Sequence, residues 1–310
     1  METCPWCNAP REGGPACARC GANYAKADMI RKQGRATEAV ALAASPQIQI
    51  EEVPAEKDAE VLTGLFDPAL EFKFCVGAIP IALACGVAFH LFMPFLQRSF
   101  LGMPVHETGH AVAAWFTGHW AVPTPLWFTI NSPERSLGPA VVLLGAIGAV
   151  MYYAWRIENR ALLALGGVLA LLQAIGTLFI KAKTADALIV FGGDGIGMVL
   201  ATALMSSFFF GKGTQLYQGS LRWGFLVIGA GAFTDMFSVW WAARSDFGKV
   251  PFGEQERAGP SDANKLVDDF NWSTDEMIHR YVVLGICCLA ALALVYAWGV
   301  WQARRKIISK

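Results

Sequence analysis

Long stretches without a lysine, arginine or glutamate constrain this chain more than anything else in it. Six of them, at 74–96, 137–155, 161–180, 188–210, 223–241 and 281–301, are each about the length of a membrane-crossing helix. Two carry a single aspartate, Asp194 and Asp235; the other four carry no charge. Only 16% of the chain is charged against 55% apolar, and the charges crowd into 1–73, 242–280 and the last few positions. A soluble core of this size does not need six such runs. The pattern predicts an all-α polytopic membrane protein, a bundle of about six or seven transmembrane helices.

The segment His106-Glu107-Thr108-Gly109-His110 lies inside a further apolar stretch, 102–120. Residues four apart share one helix face, so His106 and His110 can grip one metal. Glu107 then stands beside that metal, where a carboxylate can act as general base toward bound water. The chain has only five histidines in 310 residues, and a chance HExxH is expected about 0.004 times at this composition. Burying three ionisable groups in lipid is costly, so such groups mark function by default. The helix is less apolar than the other runs, as expected of one shielded by neighbours. It would be an additional membrane helix. The 121–130 stretch after it, with Pro123 and Pro125, is too short to span and is read as re-entrant or interfacial.

A second metal site opens the chain. Cys4-Pro-Trp-Cys7 and Cys17-Ala-Arg-Cys20 form two CxxC pairs whose four thiolates suit structural zinc. Residues 1–23 are therefore read as a zinc ribbon. No signal peptide precedes them, and zinc thiolates need a reducing compartment, so the N-terminus is expected in the cytosol. Cys75, Cys85, Cys287 and Cys288 fall in apolar runs and read as small hydrophobes. Residues 24–70, proline-punctuated with a basic start and an acidic end, read as a flexible cytosolic tether. Residues 71–303 form the membrane domain, including a polar loop at 242–280, and 304–310 a basic tail.

Basic residues at both ends argue for both termini in the cytosol, which requires an even number of crossings. Seven full spans break that parity unless one segment is re-entrant. In the polar loop, Ser273-Thr-Asp-Glu276 reads as a capping box before the last helix. Residues 261–270 read as a short amphipathic helix with Leu266, Val267 and Phe270 as its apolar side. Its acidic residues, Asp262 among them, look like a solvated surface, with a gate or docking element as the alternative.

A catalytic zinc needs a third protein ligand and an open position. The remaining histidines, His90, His119 and His279, are poorly placed. Phe191-Gly-Gly-Asp194-Gly-Ile-Gly197 stands out, because its glycines permit close helix approach and would aim the Asp194 carboxylate at the metal. Asp186 and Asp235 are a candidate outer partner and alternative ligands.

HExGH followed by Ala-Val-Ala-Ala, with a later glycine-bracketed intramembrane aspartate, resembles the site-2 protease family of intramembrane zinc metallopeptidases over about residues 100–200. The resemblance implies zinc held by His106, His110 and Asp194, with Glu107 activating water. It departs from the family in keeping only Asp194-Gly195 of the usual aspartate segment, and in carrying an N-terminal zinc ribbon. It implies one catalytic zinc, in addition to the structural zinc read from the four cysteines, and hydrolysis of a membrane protein or peptide substrate within the bilayer; the expected location is the cytoplasmic membrane of a microbe. A cytosolic partner could dock on the ribbon; nothing firmly implies nucleic acid. The rival readings are a non-catalytic zinc-binding membrane scaffold and a metal transporter.

Overall fold

A computed structural model describes residues 3–4, 7, 9–11, 13–26, 28–29, 68–124, 128–210, 220–255 and 259–308. Of the tether read at 24–70, residues 30–67 lie outside the described residues, while 24–26, 28–29 and 68–70 are helical. The chain divides into two compact units, Met1–Leu65 and Phe66–Lys310.

In the first unit, each CxxC pair closes a tight knuckle. The Cys4 N–H donates to the Ala9 carbonyl at 2.8 Å, and the Cys17 N–H to the Ala22 carbonyl at 2.9 Å. Gly21 has φ of +73°, a left-handed turn conformation that glycine adopts without a Cβ penalty. Arg11 pairs with Asp28 at 2.6 Å and lies over the Tyr24 ring.

The second unit is a helical bundle. Its helices are α1 (Pro68–Phe92), α2 (Pro94–Gln97), α3 (Met103–Phe116), α4 (Leu137–Arg156), α5 (Arg160–Ala174), α6 (Ala182–Ser206), α7 (Leu221–Ala243), α8 (Asp262–Asp268) and α9 (Thr274–Ile308). Two short antiparallel hairpins join them, β1 (His119–Pro123) with β2 (Thr129–Arg135), and β3 (Glu254–Gln255) with β4 (Gly259–Pro260). Among the described residues six helical segments are long and apolar enough to cross a membrane: Ala69–Phe92, Leu137–Arg156, Arg160–Phe179, Ala182–Phe209, Leu221–Ala243 and Thr274–Ile308. The chain is a helical polytopic membrane protein with an N-terminal cluster of four cysteines arranged as in a zinc ribbon.

Two local expectations meet their outcomes here. Of the 121–130 stretch, residues 121–123 and 129–130 belong to the paired strands β1 and β2, with Ala121 opposite Asn131 and Val122 opposite Ile130. Ser273 does cap α9, accepting from the Glu276 N–H at 3.2 Å.

Contacts order the bundle. Glu71 pairs with Arg222 and His90 faces Asp235, so α1 and α7 run the same way. Asp194 meets Trp240, and Gly229 abuts Ala201, so α6 runs opposite to α7. Tyr281 stacks on Trp240 while Gly299 packs on Phe209, so α9 runs opposite to α7 as well. Gln173 donates to the Ala140 carbonyl across an antiparallel α4–α5 pair.

The HExxH helix does not add a seventh crossing. Gln97 bonds to Gly86 and Gly231, Arg98 to Asp235, His106 to Asp194, and His110 to Ile189. Along α6, the partners fall from 194 to 189 as α3 advances from 106 to 110. α3 therefore runs opposite to α6 and the same way as α1. Pro94 ends α1's path after Met93, because proline cannot continue the preceding helix's hydrogen bonds. The chain then drops back beside Gly86 before rising again through α3. Together α1 and α3 occupy one passage through the bundle, and the first and last helix ends, near 68 and 308, share one face. The β1–β2 hairpin and the 244–273 loop cover the opposite face.

Candidate metal centre

Glycine lets α3 and α6 touch. A Cβ on Gly109 would overlap the carbonyl oxygen of Gly192 and would sit 2.7 Å from that of Gly193. A Cβ on Gly193 would run into both imidazoles of the motif. The expected close approach of the Phe191–Gly197 segment to the HExxH helix is thus present, achieved by an intact α-helix rather than by unwinding.

Both motif histidines are fixed from behind. His110 Nδ1 donates to the Ile189 carbonyl oxygen at 2.7 Å. His106 Nδ1 lies 2.8 Å from Asp194 Oδ1. With each Nδ1 engaged outward, the two Nε2 atoms face each other at 3.0 Å. Asp262 Oδ2 closes the triangle, 3.2 Å from His106 Nε2 and 3.0 Å from His110 Nε2. Two imine lone pairs and a carboxylate oxygen converging in this way repel unless a positive charge sits among them. Donors about 2.0–2.1 Å from a tetrahedral metal are separated by about 3.3 Å, so the observed edges fit a metal to within a few tenths of an ångström.

The third group of the triangle is thus Asp262, not the expected Asp194. Asp194 lies on the far nitrogen of His106, where it orients the ring. Its other oxygen, Oδ2, accepts from Trp240 Nε1 at 2.8 Å. The reason is geometric: α6 packs so tightly against α3 that Asp194 reaches only the near side of the imidazole, Nδ1. Asp186, the proposed outer partner or ligand, points elsewhere, with Oδ1 3.8 Å from His119 Nε2. Asp235 also stays clear of the two Nε2 atoms. It holds Arg98 Nη1 at 3.0 Å, and the same Nη1 reaches Asp194 Oδ1 at 3.2 Å.

Asp262 comes from the polar loop. Ser261 caps α8, accepting from the Asn264 N–H, and Leu266 is fully buried beneath it. Trp272 packs on Phe191, Phe191 stacks on Tyr281, and Tyr281 stacks on Trp240. This aromatic ladder ties the loop to the residue that holds Asp194. The short helix at 261–270 was legible in the sequence. Its first residue joining the histidines was not, although an acid just after a serine cap, in the one sizeable polar loop between spans, was the available signal.

Glu107 is buried, with 5% of its surface exposed. Thr129 Oγ1 of β2 lies 2.7 Å from its Oε2 and 2.8 Å from its main-chain oxygen. The hairpin therefore positions the motif carboxylate. Ile189 lies seven residues into α6, so His110 sits about 10 Å below the face that the loop and hairpin cover.

In the ribbon, Cys4 Sγ lies 3.8 Å from Cys20 Sγ and Cys7 Sγ 3.7 Å from Cys17 Sγ. All four are free thiols within 4.8 Å of one another. Sulfurs about 2.3 Å from a tetrahedral metal are separated by about 3.8 Å, the spacing found for the Cys4–Cys20 and Cys7–Cys17 pairs. Backbone N–H groups of Cys20 and Arg19 lower the Cys17 thiol to about 6, favouring the thiolate that binds metal. The Ala22 backbone lowers Cys20, but desolvation and the neighbouring sulfurs win and push it up to about 12. A cation at the centre removes that mutual repulsion.

No family model matches this chain, and no curated protein or solved structure matches it either.

Proposed function

We propose that the protein is an intramembrane zinc metalloprotease, similar to the site-2 protease family, which hydrolyses peptide bonds of membrane-embedded substrates. The observation that supports it best is the convergence of His106 Nε2, His110 Nε2 and Asp262 Oδ2, with Glu107, the residue that follows His106 in the motif, buried. Three protein ligands leave a tetrahedral metal one open position, the pattern of catalytic rather than structural zinc. When bound, zinc makes its water acidic enough to ionise near neutral pH and polarises a carbonyl.

The chain's own residues supply the rest. Asp194 and the Ile189 carbonyl hold the imidazoles in the tautomer that turns both Nε2 atoms inward, as outer carboxylate and carbonyl partners do at zinc–histidine sites. Glu107 takes the proton of the attacking water and passes it to the leaving amine. Thr129 holds that carboxylate in place. In this reading Asp262 takes the ligand role that the resemblance assigned to Asp194. A substrate helix must unwind locally to present its peptide bond, since helical hydrogen bonds shield it. In the ribbon, Cys4, Cys7, Cys17 and Cys20 hold a second, structural zinc.

The test is proteolysis with a base-dead control. Full-length protein and its Glu107→Gln variant are reconstituted with membrane proteins from the native host, and newly formed peptide termini are mapped by mass spectrometry. Wild type should create termini inside apolar segments. Glu107→Gln should create none yet keep the same zinc content. Equal termini from both proteins would end the protease reading and leave a non-catalytic metal site.

A further inference from the structure

A five-residue π-helical turn, Arg98–Gly102, joins α2 to α3 immediately before the motif. The backbone stays helical on both sides of it, at Gln97 and Met103, so residues 94–116 form one continuous rod with a single widened turn. An α-helix turns 100° per residue, so two residues eight apart project about 80° from each other. The extra residue of a π turn cancels one step and brings the two within about 20°. Arg98 thereby comes to the same face as His106, and its Nη2 lies 3.4 Å from His106 Nδ1.

The guanidinium is clamped between two carboxylates, Asp194 Oδ1 at 3.2 Å and Asp235 Oδ2 at 3.0 Å. Gly102, within the same turn, leaves room for this. A Cβ there would collide with Asp235 Oδ2. Asp235 itself is 2% exposed and sits on α7, away from both Nε2 atoms. A chain of contacts therefore runs Asp235–Arg98–Asp194–His106 Nδ1.

We propose that Arg98 is a positioning residue for the metal centre: by bridging Asp235 to Asp194 it fixes the carboxylate that orients His106, and the π turn exists to place it there. Without the bridge, Asp194 and Asp235 would face each other as unneutralised acids in the bundle interior, and only the Trp240 Nε1 bond to its other oxygen would keep Asp194 at Nδ1. Outer partners of this kind change metal affinity by about 10- to 100-fold. The inference rests on the metal-centre reading above.

The experiment titrates Co2+ into the metal-stripped full chain in detergent and resolves two equivalents, that of the four cysteines by its thiolate charge-transfer bands and that of the histidine site by its weaker visible bands. Arg98→Gln and Asp235→Asn should each weaken the second equivalent by about 10- to 100-fold and leave the first unchanged. Because both break one chain, the double variant should be no weaker than the worse single variant. Should Arg98→Gln fail to fold, Asp235→Asn carries the test alone. Unchanged affinity for the second equivalent, or losses that add in the double variant, would overturn the positioning role while leaving the metal centre intact. A wild-type protein that takes up only the cysteine equivalent would instead remove the metal centre, and this inference with it.

Discussion

Glu107, His106 and His110 were legible as residues because the HExxH pattern ties spacing directly to a shared helix face. The third group of the triangle, Asp262, was not. Local sequence marks Asp194 as unusual, an acid among glycines in an apolar run, but it cannot say which side of an imidazole the acid will meet. That depends on how far α6 advances against α3, a long-range packing distance. The structure separates the two roles, and the separation is measurable. Asp262→Ala removes a donor from the Nε2 triangle and should abolish uptake of the second metal at micromolar concentrations. Asp194→Asn keeps a hydrogen-bonding group on Nδ1 but loses the charge, and should retain that metal with affinity reduced by about 10- to 100-fold. Equal losses in the two variants, read by isothermal titration, would contradict the assignment.

The helices themselves follow from the sequence more faithfully than the site does. Their apolar runs are long, and a backbone in lipid must satisfy its hydrogen bonds internally, so helix is nearly the only solution. The glycine cluster was equally readable: in a membrane, where water supplies little drive for helix association, small residues set where helices meet. What the sequence hides is the consequence of Pro94, which breaks the rod between α1 and α3, and the widened turn at Arg98–Gly102, which no residue pattern announces. The α3–α6 seam is expected to be intolerant of a single methyl. Gly109→Ala would press on the Gly192 carbonyl, with backbone rather than a flexible side chain in the way. It should lower stability by about 1–3 kcal/mol, visible as a lower unfolding temperature in detergent. Gly145→Ala on α4, where a Cβ meets nothing within 4 Å, should leave stability unchanged.

For the whole molecule, the parity problem posed by basic residues at both ends has a structural resolution. α1 and α3 run in one direction and share a passage, so six crossings return the chain to its starting face. Segments near 157–159 and the C-terminus then lie on one side of the membrane, and the 244–273 loop with the β1–β2 hairpin on the other. Protease-recognition sites inserted at 259 and after 310 should be cut from opposite sides of sealed vesicles. Cutting of both from the same side would break the assigned order of helices. The arrangement also explains how a residue of the polar loop reaches the histidines: the site lies about 10 Å below the face that the loop covers.

All of this turns on a metal ion held by His106, His110 and Asp262. The most direct measurement is the zinc content of the full chain with Cys4, Cys7, Cys17 and Cys20 all changed to serine, purified in detergent. One equivalent of zinc should remain, and it should vanish when His110→Ala is added. A cysteine-free-ribbon protein that purifies without zinc, and takes none up on titration, would contradict the metal centre.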